Sequence, residues 1–474
     1  MTFDSLTFGF FFAVILALHN APFSWGTRKT NLLIASYLFY SAWNPPFVLL
    51  LLLSTVLDWF FARAMAVTEA PARRKALLVA TLTVNLGILG FFKYSGFLLA
   101  NFVKAVALLG IVYRPPALDV VLPIGISFYT FHTLSYTIDV YRRLLKPASS
   151  FRDYALFVAF FPQLVAGPIM RARNFLPQLA SPKKATLGEL GWGLILLTIG
   201  LFEKVVLADY IFSPVADSVF DGAVHPTSWD SWTGMLAFSG QIFCDFSGYS
   251  LCALGVALCL GFIIPENFHF PYAASGFTDF WRRWHISLST WLRDYLYVGL
   301  GGNRKGRKRT YLNLMLTMLI GGLWHGASWS FVLWGGLHGL YLTIERFLRE
   351  RFVRNDGTGL LRFLQRSRMP ATFLVVTLTW TFFRSKNLKR AVDLLESAFG
   401  LAARGVRLTG SGTQLQVLVP LAAIVFGQWY LRDTSLLSAI ERLPTFVRIG
   451  IITAMAAGII FASGDSRAFI YFQF

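Results

Sequence analysis

Charged residues are scarce in this sequence relative to its length. Only 14% of the 474 residues are Asp, Glu, Lys or Arg, against roughly 25% in an ordinary soluble domain. A soluble chain of this size could not cover its surface with so few charges. Hydrophobic residues make up 55% of the chain and aromatic residues 16%. These values exclude a disordered chain and a coiled coil, and they indicate a polytopic membrane protein.

Cysteine is also rare, with one residue each at positions 244, 252 and 259. An odd number of cysteines within an apolar stretch excludes a disulfide framework. Their spacing places them near one face of a helix, where small side chains pack between helices. No His or Cys pair stands beside them at zinc-binding spacing, so the sequence predicts no metal site.

The N-terminus lacks a basic region, and we expect its apolar run to remain as a membrane segment.

Acidic residues are outnumbered, because 24 Asp and Glu stand against 43 Lys and Arg, a formal net charge of +19. In a soluble protein this excess would suggest nucleic-acid binding. Here the basic residues form short runs between apolar stretches, and the densest run spans residues 304–309. Such runs are typical of the cytoplasmic loops of membrane proteins. The sequence therefore predicts a membrane topology and no nucleic-acid partner.

Uncharged stretches predict the membrane spans. They are residues 5–27, 31–57, 76–92, 120–138, 154–170, 190–202, 246–265, 311–344, 369–383, 411–431 and 449–463. We expect a break at Asn44-Pro45-Pro46, and a bend or break at Gly321-Gly322 or Gly326. The fold class is all-α, with roughly ten to twelve transmembrane helices plus re-entrant or interfacial helices. The segment between Lys93 and Lys104 crosses or re-enters the membrane, and loop 400–413 is exposed. We predict a single membrane-embedded domain over residues 1–474.

Polar side chains within such an apolar chain indicate where chemistry can occur. Residues 278–289 combine aromatic, cationic and hydroxyl groups. Helical spacing places six residues between positions 280 and 295 on one face: Phe280, Trp284, Ser287, Leu288, Trp291 and Tyr295. Arg282, Arg283 and Arg293 are suited to holding phosphates. An interfacial amphipathic helix that contacts anionic lipids explains the same pattern.

Two further stretches carry isolated polar groups. His325 lies inside the uncharged run 311–344, where burial favours the neutral imidazole that accepts a proton from a hydroxyl. A structural histidine bonded to a backbone carbonyl is the alternative. His338 is either a second group of the site or a packing residue. Asp245 either orients a histidine, pairs with an arginine, or forms a hydrogen bond between helices.

Several motifs resemble the membrane-bound O-acyltransferases, in particular the branch that contains the membrane subunit of bacterial alginate O-acetylation. The most specific are Phe-Trp-Arg-Arg-Trp-His-Ile-Ser-Leu-Ser at 280–289, Trp-Leu-Arg-Asp-Tyr-Leu-Tyr at 291–297, Leu-Gly-Gly-Asn-Arg at 300–304 and Gly-Leu-Trp-His-Gly at 322–326. Further likenesses lie at 122–128, 161–169, 245–250, 265–268 and 469–474. The chain departs from that branch at Glu203-Lys204, Leu251 and Val298-Gly299.

The resemblance implies a funnel-like helical core and assigns roles to particular residues. His325 is the first candidate for catalysis and His285 the second. Substrate-binding roles fall to Trp281, Arg282, Arg283, Trp284, Asn303, Arg304 and Trp324. Supporting roles fall to Asp245, Asp279 and Ser328.

The resemblance also implies a reaction and its partners. We expect an acyl group, acetyl from acetyl-CoA, to pass from the cytoplasmic side of the bacterial inner membrane to a periplasmic hydroxyl. The acceptor is an exported polysaccharide such as alginate, or an esterase-like periplasmic partner; no cofactor stays bound. Three alternatives remain open. They are D-alanyl transfer from a carrier protein to teichoic-acid-type acceptors, a transporter or flippase without covalent chemistry, and a structural scaffold of an export complex.

Overall fold

The computed structural model describes residues 1–116, 118, 120–222, 224–352, 368–402, 405–462, 467, 469 and 470. Of the motif at 469–474, positions 471–474 lie outside the described residues, as do positions 403 and 404 of the loop predicted at 400–413. Within the described ranges the chain is helical, and the single β-type contact is an isolated bridge between Pro226 and Val406.

Six helices of the described chain are long and apolar enough to cross a membrane. They are Phe47–Val67, Pro71–Ala107, Leu187–Phe220, Ser228–Cys259, Ser411–Leu431 and Thr445–Ala462. A shorter apolar helix spans Leu6–Asn20. The chain is therefore a multi-pass helical membrane protein, as its composition predicts. Cys244, Cys252 and Cys259 are buried free thiols on one of these helices.

The chain divides into two compact units. One comprises residues Met1–Leu194 and Ala253–Pro265, and the other comprises Ile195–Cys252 and Glu266–Phe474. The first contains the helices Leu6–Asn20, Trp25–Ser41, Phe47–Val67, Pro71–Leu89, Ser95–Ala107, Ile126–Tyr141, Phe151–Ala159, Phe161–Leu164 and Ala172–Phe175, and the beginning of Leu187–Leu201. The helix break predicted at Asn44-Pro45-Pro46 is confirmed, because one helix ends at Ser41 and the next begins at Phe47.

The predicted span 154–170 is wrong as a single membrane helix. The helix Phe151–Ala159 ends within this stretch, at Ala159, and a single helical turn follows at Phe161–Leu164. Pro162 lacks the backbone N–H that a continuous helix needs, and Pro168 has the same effect. These residues are fully or almost fully buried within the unit, so this apolar stretch is a protein core and not a lipid-facing span.

The second unit contains the helices that carry the candidate site. They are Ser213–Phe220, most of Ser228–Cys259, Phe277–Arg283, Ile286–Trp291, Gly306–His325, Trp329–Phe352, Met369–Arg384, Leu388–Ala398, Ser411–Leu431, Leu436–Glu441 and Thr445–Ala462. Residues 202–212 and 292–297 are π-helical. The helix Ser228–Cys259 begins 18 residues before the predicted span 246–265, because Asp230 and Asp245 are accommodated inside the protein.

The uncharged run 311–344 forms two helices, as its length requires. The break lies at Gly326, and the pair Gly321-Gly322 stays helical. The aromatic face predicted from residue 280 to residue 295 is buried, but a single helix does not carry it. His285 interrupts the helix with a left-handed backbone conformation, at φ 44° and ψ 54°.

Candidate active site

Two buried histidines lie next to each other where helices end. His325 is the last residue of the helix Gly306–His325, and His285 precedes the helix Ile286–Trp291. Their ring centroids are 6.4 Å apart. His285 is 0% exposed and His325 is 4% exposed. The structure thus brings together the two residues that the sequence analysis ranked first and second for catalysis.

Glycine determines the position of His325. Gly326 is extended, which ends the helix directly after the histidine. A Cβ atom at residue 326 would overlap the ring of Phe331, so the chain can turn this tightly only with glycine. Gly322, one turn earlier, packs against Gly335 of the next helix. These contacts hold the end of the helix against its neighbour and fix where the imidazole projects.

Backbone pairing determines the position of His285. The amide of Ile286 donates to the carbonyl of Asn267 at 2.9 Å, and the amide of His269 donates to the carbonyl of Arg283 at 2.9 Å. A left-handed conformation is uncommon for a residue other than glycine and persists only where surrounding contacts hold it. The two backbone hydrogen bonds, one on each side of His285, supply those contacts.

Aromatic rings enclose the histidine pair. The centroid of the Trp324 ring is 4.9 Å from that of His325, and those of Trp334 and Phe383 lie 5.1 and 5.4 Å from it. The ring of Phe246 meets His285 edge-on at 4.6 Å. Within this apolar enclosure, burial lowers the pKa of His285 to about 3. His285 lies outside the six candidate membrane spans, and because of this burial its imidazole is neutral at physiological pH.

The guanidinium of Arg283 is hydrogen-bonded within the protein. Its Nε donates to Asp279 at 2.9 Å, and its Nη1 donates to two backbone carbonyls. Asp279 also accepts from Arg432 at 2.7 Å and from the amide of Ser275 at 3.0 Å. Burial opposes ionisation of Asp279, but these hydrogen bonds and the two guanidinium charges outweigh it and lower its pKa. Asp279 thus holds Arg283 and Arg432 together beside the candidate site.

Arg282 has different surroundings from Arg283. It lines a cavity of about 780 Å³ whose wall includes Phe277, Leu348 and Val375. Arg349 and Arg368 line the same cavity and are exposed, like Arg282. No ion pair joins any of these three arginines to another residue in the described ranges. Of the two adjacent arginines, Arg282 is therefore the one placed to meet an anionic ligand.

Trp281, Trp284 and His338 form the packing behind the histidine pair. The ring of Trp281 lies 5.8 Å from Trp334, which itself contacts His325. Trp284 is 1% exposed and packs on Phe268 with centroids 5.0 Å apart. His338 is 0% exposed and lies against Trp281 and Trp334 at 5.2 and 4.9 Å. This position supports the packing role for His338.

Three other predicted residues do not contact the histidine pair. Asn303 and Arg304 are exposed in the turn before the helix Gly306–His325. Ser328 lies in the short turn after His325, where its amide donates to the carbonyl of Gly326 at 2.9 Å.

Asp245 is part of a buried ion-pair network. Its Oδ1 is 2.6 Å from Nζ of Lys204, and its Oδ2 accepts from the amide of Ile470 at 2.7 Å. Lys204 also pairs with Asp209 at 2.9 Å. Asp245 thus pairs with a lysine on another membrane helix, which agrees with the contact between helices that the sequence analysis left open.

Sequence analysis missed Asn267 as a site residue. Its Oδ1 lies 3.0 Å from Nδ1 of His285 and 2.9 Å from Oγ of Ser287. The available signal was a polar residue in the motif 265–268, just before an aromatic stretch. Among the described residues, no group of three or more His, Cys, Asp and Glu side chains is arranged to hold a metal ion.

The fold and the site together define a membrane-embedded enzyme. Helices of the second unit enclose two histidines in an apolar setting, which is suited to proton transfer at a bound substrate. Residues 137–384 match the model of the membrane-bound O-acyltransferase family. The chain belongs to this family and is an O-acyltransferase.

Similar proteins extend over most of the chain. A "Probable alginate O-acetylase AlgI" of Pseudomonas aeruginosa is 40% identical over 438 residues, covering 90% of this chain and 81% of the relative. A "Peptidoglycan O-acetyltransferase" of Helicobacter pylori is 38% identical, covering 79% of this chain and 74% of the relative. A "Teichoic acid D-alanyltransferase" of Bacillus subtilis is 29% identical over 236 residues, covering 48% of this chain and 60% of the relative.

Proposed function

We propose that this protein transfers an acetyl group from a cytoplasmic thioester, acetyl-CoA, to a hydroxyl group on the periplasmic side of the bacterial inner membrane. The acceptor is an exported polysaccharide or an esterase-like periplasmic partner that passes the acetyl group on. The observation that carries the proposal is the buried pair His285 and His325, with ring centroids 6.4 Å apart. The names of the relatives that cover most of the chain support acetyl as the group transferred.

The chemistry requires one proton acceptor and no bound metal. The acceptor hydroxyl attacks the thioester carbonyl carbon, the C–S bond breaks, and the thiol leaves. In this proposal the imidazole of His325 takes the hydroxyl proton, which finally neutralises the departing thiolate. The aromatic rings around the pair exclude water, which would otherwise compete with the hydroxyl as nucleophile.

In this proposal the acyl donor binds in the cavity described above. The cavity lined by Arg282, Arg349 and Arg368 offers guanidinium groups to phosphates and an apolar wall to the rest of an amphiphilic donor. Arg283 contributes indirectly in this proposal, because it holds Asp279 in place.

The first experiment compares the acetyl-ester content of exported polysaccharide in cells that carry His325→Ala, His225→Ala or the unchanged protein. His225 is an exposed histidine and serves as the matched control. We expect acetyl esters to disappear only with His325→Ala, while immunoblots show equal amounts of protein in the membrane. Unchanged acetylation in His325→Ala would contradict the assignment.

The same cells separate the alternatives. Loss of ester-linked D-alanine in place of acetyl would favour the D-alanyl reaction, to which the similarity with a teichoic acid D-alanyltransferase over 48% of the chain lends some support. A transporter would move an intact substrate into vesicles without consuming any thioester. A scaffold would leave acylation intact in His325→Ala.

A further inference from the structure

Three sequence motifs meet in one chain of buried hydrogen bonds, of which the proposed function uses only His285. Ser250 lies in the motif 245–250, Asn267 in the motif 265–268 and His285 in the motif 280–289. Nδ2 of Asn267 donates to Oγ of Ser250 at 3.2 Å, while Oδ1 of Asn267 faces Nδ1 of His285. All three residues are 3% exposed or less.

A backbone amide fixes the orientation of the Asn267 side chain. The amide of Ser287, 3.3 Å away, points at the same Asn267 atom that faces His285. A backbone N–H can only donate, so this atom of the carboxamide must be the oxygen and not the nitrogen. The opposite orientation would place two donors against each other in a buried site, at a considerable cost in free energy.

The orientation of Asn267 in turn fixes the tautomer of His285. Because an amide oxygen only accepts, Nδ1 of His285 must carry the proton that it donates at 3.0 Å. A neutral imidazole has a single N–H, so Nε2 then has a free lone pair. Nε2 is buried, and it has no hydrogen-bond partner within the described part of the chain.

We infer that Asn267 is a positioning residue that keeps Nε2 of His285 unprotonated, so that it accepts a hydrogen bond from an O–H or N–H group of the substrate. This inference rests on the proposed function. It also excludes one role for His285, because an Nε2 without a proton cannot donate a hydrogen bond to polarise a carbonyl oxygen. His285 thus orients a substrate group, and Ser250 and Ser287 keep Asn267 turned towards it.

Nitrogen NMR of the full-length protein tests the tautomer without any donor or acceptor. The chain has seven histidines, and the signals of His285 are identified by their loss in His285→Gln. We expect a protonated Nδ1 and an unprotonated Nε2 in the unchanged protein, and a mixture of tautomers in Asn267→Leu. A protonated Nε2 in the unchanged protein would overturn the inference.

Transfer kinetics in proteoliposomes, with acetyl-CoA as the probe, test the consequence. At metal sites, loss of the hydrogen-bond partner of a liganding imidazole costs roughly 10- to 100-fold in activity, and by analogy we expect the activity of Asn267→Leu to fall by about that factor. Asn313→Leu is the matched control, because Asn313 is equally buried and its side chain bonds only to the carbonyl of Gly302 among the described residues. Equal activity in the two variants would refute the role of Asn267.

A second variant, Asn267→Asp, distinguishes loss of the positioning role from a failure to fold. Aspartate keeps an acceptor oxygen for His285 and Ser287, so the tautomer and part of the activity should return. Its negative charge raises the pKa of the imidazole, and the acid limb of the pH–rate profile should move to higher pH. His325 is the titratable group whose ring faces His285, while Phe246, Trp324 and Ser287 carry no charge. An unshifted profile would contradict the inference.

The two hypotheses fail in different ways. If His325→Ala abolishes acetylation and NMR finds a protonated Nε2, the positioning role is wrong and the proposed function stands. If NMR finds the expected tautomer but His325→Ala leaves acetylation intact, the proposed function is wrong, and with it the substrate-binding part of this inference.

Discussion

Gly322 and Gly335 pack directly against each other across the two helices that flank the active-site turn. A Cβ atom on Gly322 would lie 3.0 Å from the Cα atom of Gly335 and would overlap the carbonyl oxygen of Phe331. Within a membrane, close approach of helices through small residues is a main source of association. The contact lies one turn before His325, so it couples helix packing to the position of the imidazole.

Substitution Gly322→Ala should therefore impair transfer more than Gly321→Ala. A Cβ at residue 321 meets only the end of the flexible Leu292 side chain, at 3.1 Å, and that side chain can move. A Cβ at residue 322 meets backbone atoms and must force the helices apart, at a cost of about 1–3 kcal/mol. Thermal melting in detergent and transfer activity measure the two effects. Equal behaviour of the two variants would contradict this packing argument.

The stability of the protein should fall as the pH decreases from 6.5 towards about 3. In this window the unfolded chain protonates His285, but the folded protein does not, because burial lowers the pKa of His285 to about 3. The unfolded state then binds more protons, and the free energy of unfolding decreases with falling pH. The slope should be shallower in His285→Gln, as measured by melting temperature. Identical slopes in both proteins would show that His285 is not buried in a neutral form.

Lys204→Met should destabilise the protein strongly. Lys204 pairs with both Asp209 and Asp245, at 2.9 and 2.6 Å, in a buried setting. Removing one partner of a buried ion pair leaves uncompensated charge and costs about 3–5 kcal/mol.

Lys386→Met is the matched control for this variant. Lys386 pairs with Asp221 at 3.2 Å, but its side chain is 66% exposed, and such surface pairs contribute about 0–1 kcal/mol. Unfolding of the purified proteins by denaturant compares the two variants. A similar small loss in both would mean that the Lys204 network is hydrated.

Arg282→Ala should raise KM for the acyl donor and leave kcat nearly unchanged. Arg282 lines the cavity without a described carboxylate partner, so its charge is available to a phosphate. Hydrogen bonds to charged groups contribute about 1.5–3 kcal/mol, and exposure places this one at the lower end, which corresponds to about 10-fold in KM. Arg442→Ala, another exposed arginine, serves as the control in the same kinetic assay. A lower kcat with unchanged KM would place Arg282 in a structural role.

Much of the helical architecture follows from the distribution of charge and of proline and glycine. The break at Asn44-Pro45-Pro46 and the end of a helix at Gly326 are visible in the sequence, because both depend on local backbone chemistry. The span 154–170 was wrong because apolar composition alone does not distinguish a lipid-facing helix from a segment buried inside the protein.

The two histidines of the candidate site could be picked out from the sequence, but the hydrogen bonds around them could not. Resemblance to a known family pointed to His285 and His325, and the structure places them together. The left-handed conformation of His285 and its link to Asn267 depend on hydrogen bonds between segments 18 residues apart. The different surroundings of Arg282 and Arg283 likewise depend on contacts with Asp279 and Arg432, and no local sequence pattern reveals these contacts.

The Lys204 network also bears on the order in which the chain matures. The amide of Arg467 donates to Asp209, its carbonyl accepts from Lys204, and the amide of Ile470 donates to Asp245. These partners are separated by 225 to 263 residues, so they meet only after the ribosome has made residues 467–470. Until then, two aspartates share one lysine inside the membrane. A chain truncated before residue 467 therefore lacks these three hydrogen bonds and leaves the buried network incomplete.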